Sequence, residues 1–261
     1  MKKTKEQLMA QKEKALNSVA DYLSQLIESD DDRKRSKADK LCYWLCDYMD
    51  FLTFEAEFRP NSLRKYKRGE IIKAHLGYNV GSEEGGLHYC VVVDKCNSVN
   101  SPVVTVVPLT SVKPKTDISK LHPTEVYLGN ELFTNLNSKI ISHKKATGEE
   151  VQALNNIVDA IKVGKDSEQS REIIEEVNNR ITLAVRRVEF IERMESEVRN
   201  MKKGSIALVN QITTISKIRI YDPKRNDDVL SNIKLSNEKL DLIDDVISQH
   251  YSNLMQKYLD K

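Results

Sequence analysis

The sequence predicts an α+β fold in which one small sheet is split by a helical hairpin. Three observations carry this reading. Short β-branched and apolar runs lie between Gly69 and Leu128. Runs of the same kind resume between Ile206 and Ile220. Between them, apolar residues step by three and four, the helical period. One interrupted sheet is the simpler solution, because neither β fragment holds enough strands to be stable alone.

The elements follow in order. Residues 3 to about 28 place Leu8, Ala15, Val19, Leu23 and Leu26 mostly on one helical face. Ser29 to Asp32 form a polar break whose aspartates suit an N-cap. A second helix follows, with Leu41, Trp44, Leu45, Tyr48, Met49 and Leu52 on a broad apolar face. The two helices are expected to pair with each other or to lie on the domain that follows. Pro60 and Asn61 mark a boundary, so residues 1–60 form an N-terminal helical extension. Strands are expected at Glu70–Leu76, Tyr89–Asp94, Pro102–Leu109 and Thr124–Leu128. The helical period returns at about Gly148 and ends near Arg199, with Gly164 as a stop between two helices. Strand character resumes at Ile206–Val209 and Ile212–Ile220, and a last helix runs from about Asn237 to Tyr258. The β domain therefore spans 65–261, interrupted at 134–203 by the hairpin. A hairpin returns the chain near its departure point, which lets a sheet tolerate it.

Bulk properties bound the function. Net charge is +2, so overall charge does not announce a polyanion partner, although a local basic face can still exist. No run approaches bilayer-spanning length and the Lys- and Glu-rich start resembles no signal peptide. Cys42 and Cys46 lie one helical turn apart in an apolar stripe and read as buried thiols. No further ligands sit near them at zinc spacing, so neither a metal nor another cofactor is expected. A reduced cytoplasm fits this pattern.

Three segments carry a family pattern. The first is Arg68-Gly69-Glu70-Ile71-Ile72, followed by Gly81-Ser82-Glu83-Glu84-Gly85-Gly86-Leu87-His88 and the strand Cys90–Asp94. The second is Ser101-Pro102-Val103-Val104-Thr105-Val106-Val107-Pro108-Leu109-Thr110-Ser111. The third runs from Gly204 through Gln211-Ile212-Thr213-Thr214 to Lys217. In this order, and in strand context, they resemble the PemK/MazF toxins over roughly 65–133 and 203–255. The resemblance implies a small, bent, β-barrel-like sheet of the PemK/MazF/CcdB-like kind with a C-terminal helix, usually a homodimer. It also implies an endoribonuclease that cuts single-stranded RNA, including mRNA, without metal. Its partner would be a cognate antitoxin protein whose peptide occupies the RNA groove. The resemblance says nothing of residues 1–60 or of the hairpin.

Such cleavage needs a group to draw the 2′-OH proton, one to protonate the leaving 5′-oxygen, and a donor for the charged phosphorane. In the family an arginine after the double glycine and the threonine of the second motif are assigned this work. Here those positions are His88 and Thr110. Histidine shuttles protons near neutrality, its ordinary pKa being about 6.5. It loses arginine's permanent charge and forked geometry, which suit a phosphate. The catalytic candidates are therefore His88 and Thr110. Ser82, Glu83, Ser111, Lys113, Gln211 and Thr214 are candidate RNA contacts by the same resemblance. Each has a plainer alternative: a strand-end residue for Thr110, turn formation for Ser82 and Glu83, sheet structure for Gln211 and Thr214. Arg64, Lys65, Lys67 and Arg68 form a basic run just before the first strand. Such a run is ordinarily solvated, but it could also attract RNA phosphates. The competing functional reading is a catalytically altered or inactive protein of the same fold, acting by binding through its groove or its helical insertion.

Overall fold

A computed structural model of the chain describes residues 3–163 and 169–252. It falls into two compact units, Met1–Phe58 with Leu76–Leu87, and Arg59–His75 with His88–Lys261.

In the first unit, α1 (Lys5–Ile27) and α2 (Asp32–Glu55) pair with each other. Their starts are locally specified. Thr4 and Gln7 form a reciprocal capping box, and the Asp31 carboxylate accepts from the Arg33 N–H. Their apolar faces are mostly not core. Leu8, Leu16, Tyr48, Met49 and Leu52 are exposed, and on these helices Leu26 and Ala38 are the buried residues. The expectation of buried thiols is corrected here. Cys46 is exposed and Cys42 half-buried. Trp44 is likewise half-buried, stacked on Tyr48 with ring centroids 5.5 Å apart.

The second unit is the sheet with its helices. Its strands are β1 (Ile71–His75), β2 (Leu87–Val92), β3 (Val103–Ser111), β4 (Glu125–Gly129), β5 (Ser205–Leu208), β6 (Thr213–Ser216) and β7 (Ile220–Asp222). The helices are α3 (Glu131–Val163), α4 (Gln169–Asn200) and α5 (Asn237–Tyr251). The strand order is β4-β5-β3-β2-β1-β7, with β6 also on β3. The sheet is thus open, ending on β4 and β7, rather than the closed barrel that a barrel-like outline evokes.

Strand β3 organises this sheet. One edge pairs with β2, while the other is shared. Val103–Val106 pair with β6 and Leu109–Ser111 with β5. The handover falls at a 3-10 turn, Val209–Gln211. Val107 and Leu109 enter the main core with Val91, Ile71, Ala207 and Leu128. That core is closed by Leu240 and Ile243 of α5 and by the hairpin root: Leu132, Leu136 and Ile140 of α3, Ile191 and Met194 of α4.

The hairpin starts earlier than the sequence predicts. Helix α3 begins at Glu131, and Gly148 lies inside it rather than at its start. Burial of Leu132, Leu136 and Ile140 at four-residue steps outweighs a mid-helix glycine, which costs roughly 1 kcal/mol. The expected stop at Gly164 and the far end of the last helix lie outside the described residues. Ile212–Ile220 is not one strand, because Lys217–Arg219 turn between β6 and β7. Lys217 is fully buried there, its ammonium donating to the Ser98 carbonyl at 2.8 Å.

Two motif glycines explain themselves. A Cβ on Gly69, at φ +82°, would stand 2.7 Å from Leu240 of α5. One on Gly204, at φ +81°, would stand 2.8 Å from Val112. Each permits a close approach where a strand begins.

Candidate active site

The site is built at the end of β3. Cys90 pairs with Pro108 across the β2–β3 ladder. Carrying that register two residues on sets His88 opposite Thr110, on the same face by strand alternation. A direct contact agrees: His88 Nδ1 lies 3.2 Å from the Leu109 carbonyl oxygen. A carbonyl can only accept, so Nδ1 carries a proton in this arrangement. His88 and Thr110 are both half-buried.

The residues after Thr110 continue the edge. Thr110 pairs with Ile206 and Ser111 with Ser205. The Val112 N–H donates to Gly204, just before Lys113 leaves the strand exposed. The Lys113 N–H is held by the Thr116 hydroxyl at 3.1 Å. Gln211 sits half-buried in the turn where β3 changes partners.

Thr214 does not join them. It pairs with Thr105, and the two hydroxyls are 3.2 Å apart. Thr105 is five residues from Thr110, so it lies about 17 Å along β3 and on the opposite face. Ser82 and Glu83 belong to the first unit. Both are exposed at the tip of its loop, where Glu83 accepts from the Val80 N–H at 3.3 Å. The basic run before β1 is not a free phosphate clamp. Arg64 is buried in an ion pair with Glu70 at 2.8 Å, and Arg68 is bound by Asp244 and the Val93 carbonyl. Lys65 and Lys67 remain exposed.

The other histidines separate. His75 is half-buried, and its carbonyl accepts from Arg219 Nε at 2.8 Å. His122 and His250 are exposed. His143 is half-buried, edge-on to Phe190 at 5.1 Å. Burial, then Lys139 and Arg187, pull its pKa below the usual histidine value.

Sequence reasoning missed one group beside the site. On the core side of the sheet, Glu197 of α4 accepts from the Tyr89 hydroxyl and pairs with Lys73 of β1 at 2.6 Å. Burial, then Glu197, push the Tyr89 hydroxyl up. This clasp ties the hairpin to the two strands around His88. No local pattern marks it, since its members are far apart in the chain.

With this geometry in place, comparison with known families gives one match. The profile described as PemK-like, MazF-like toxin of type II toxin-antitoxin system covers residues 67–185. It spans β1 to β4 and runs into the hairpin, stopping before β5, which the sheet pairs with the matched strand β3. No curated protein matches the chain.

Proposed function

Residues 67–185 match the PemK-like, MazF-like toxin of type II toxin-antitoxin systems, and on that premise we propose that the chain is a toxin endoribonuclease. It cleaves single-stranded RNA by attack of a 2′-OH on the adjacent phosphorus, without metal. A 2′,3′-cyclic phosphate forms as the bond to the 5′-oxygen breaks. His88 Nε2 shuttles the proton that leaves the 2′-OH and that the departing oxygen needs. The Thr110 hydroxyl donates to a phosphorane oxygen. Ser111, Lys113 and Gln211, with Ser82 and Glu83 of the loop, contact the RNA. Thr214 is left out, because it occupies the other face of β3. As in type II systems, an antitoxin protein holds the activity in check, and the toxin works as a homodimer in the cytoplasm.

The observation that supports this reading best is the His88 ring anchored on the Leu109 carbonyl, one residue before Thr110. The test is a mixed single-stranded RNA incubated with purified protein in EDTA. Fragments ending in 2′,3′-cyclic phosphate are expected, with a loss of at least 100-fold in His88→Ala. Intact RNA at neutral pH, with no toxicity on expression, would overturn it.

A second reading rests on the missing arginine. His88 cannot supply a permanent forked charge to phosphate. In that case the fold binds RNA or a partner protein without cutting. RNA binding equal in wild type and His88→Ala, with no cleavage by either, would establish it.

A further inference from the structure

His88 sits at the end of its strand. The β2–β3 register runs through Cys90–Pro108, Val91–Val107 and Val92–Val106, and His88 and Tyr89 lie ahead of the first of these pairs. Before them come Leu87, which is exposed, and the glycines Gly85 and Gly86, the second at φ +87°. A glycine-rich entry lends a strand end little stiffness of its own. A proton-transfer group needs stiffness, since a displacement of about 1 Å can cost roughly 100-fold in rate.

Two side-chain anchors hold this end, one on each face of the sheet. On the face away from the core, the His88 ring meets the Leu109 carbonyl at 3.2 Å. Strand alternation turns Tyr89 the other way, and it packs against the main core. There its hydroxyl donates to Glu197 Oε1. The same oxygen takes the Lys73 ammonium at 2.6 Å, and that ammonium lies 5.4 Å from the Tyr89 ring centre. The three side chains therefore close a triangle, with one corner on β1, one on β2 and one on α4. All three are half-buried, where an ion pair is screened less than at the surface. The α4 corner is itself fixed. Glu197 stands three residues before the end of the helix and three after Met194, which is wholly buried.

We propose that Glu197 is a positioning residue of the active site. By holding Tyr89 and Lys73 together it fixes the end of β2, and with it the ring of His88 over Leu109. The root of the hairpin then sets how fast RNA is cut without touching the reacting atoms. The effect on cleavage rests on the ribonuclease reading above; the anchoring of the ring does not.

The test uses the full chain and three variants, Glu197→Ala, Glu197→Gln and Tyr89→Phe, each checked for folding by circular dichroism. With a single-stranded RNA substrate, kcat is expected to fall roughly 10- to 100-fold in Glu197→Ala, with KM within about twofold of wild type. Tyr89→Phe keeps the ring and loses the hydroxyl, so its loss should be smaller. Glu197→Gln still accepts from Tyr89 but loses the charge that pairs with Lys73, and should lie between Glu197→Ala and wild type. The second readout is the His88 ring itself, followed by nitrogen-15 NMR of the imidazole. Its Nδ1–H is expected to exchange with water faster in Glu197→Ala than in wild type, because the Leu109 contact opens more often. A purely structural role would lower the unfolding midpoint and leave that signal unmoved. Unchanged kcat and ring exchange in folded Glu197→Ala and Tyr89→Phe would overturn the proposal. So would a rise in KM at constant kcat. If the wild-type protein cuts no RNA, the ribonuclease reading fails, and the ring exchange still decides whether Glu197 positions His88.

Discussion

The molecule holds two helical pairs made on different principles. The α3–α4 hairpin is rooted in the sheet. Leu132, Leu136, Ile140, Ile191 and Met194 are buried in the main core, and Glu197 clasps two strands. The α1–α2 pair buries Leu26 and Ala38 and leaves most of its apolar positions exposed. It relies on local devices, a capping box and an aspartate cap. Both pairs show apolar residues at helical spacing. The spacing therefore reports that a helix is amphipathic, and not that its apolar face is a core.

The largest test of this contrast is truncation of the apolar groups. Met194→Ala is expected to cost about 2–5 kcal/mol, because Met194 is wholly buried. Met49→Ala, at a position 51% exposed, should change stability by less than about 0.5 kcal/mol. Urea unfolding of the two variants measures both, and equal losses would erase the distinction.

Next in size is the buried charge of the sheet unit. Asp222 accepts from the Leu230 N–H at 2.7 Å and the Val229 N–H at 3.3 Å. Asp222→Ala orphans both donors and should cost about 1–3 kcal/mol. Burial raises the Asp222 pKa above its ordinary value. The folded state then binds the proton more tightly than the unfolded one. Its contribution is fully present below the ordinary value, about 4, and is lost as pH rises through the folded value. Asp31 in the helical pair behaves oppositely. The Arg33 backbone N–H, then its side chain, lower its pKa, so its capping is lost as pH falls through the folded value. Acid is expected to fray the start of α2 while it relieves Asp222. Residue-resolved hydrogen exchange between pH 3 and about 6 would show slopes of opposite sign, and Asp222→Asn should flatten the second.

The clasp comes third. Glu197→Ala removes partners from both Tyr89 and Lys73 and should cost about 1–2 kcal/mol. Loosened exchange in β1 and β2, with the hairpin itself still helical, is the expected pattern. The smallest effect belongs to Thr4→Ala. It deletes the capping box and should cost the α1 start about 0.5–1 kcal/mol, with no change in the sheet. A change in sheet exchange would mean that the helical pair stabilises the sheet after all.

The legible and the hidden parts of the structure divide along the range of their causes. The caps, the motif strands and the glycines of the three segments were readable, because each is decided within a few residues. Gly69 and Gly204 stand at positive φ where strands begin, and the His88 ring reaches the Leu109 carbonyl, one residue before Thr110. The start of α3 was not readable, since Leu132 and Leu136 become core residues through distant strands. Arg64 read as a surface cation, and only the fold brings Glu70 and Asn232 to it. Thr214 is the sharpest case. Its neighbours in sequence place it in a family motif, but the side of β3 it occupies is set by pairing with Thr105, more than a hundred residues earlier.

The partner change along β3 has a consequence for when the protein comes into being. The strand that carries Thr110 is made early in the chain, but the two strands that fill its other edge follow the whole hairpin. A ribosome will have emitted α3 and α4 before β5 and β6 exist. The nascent chain therefore exposes β3 with one side bare, and the Thr110 end stays unbuilt until the last fifth of the polypeptide emerges. The edge that carries Thr110 is therefore closed only after the hairpin is already made.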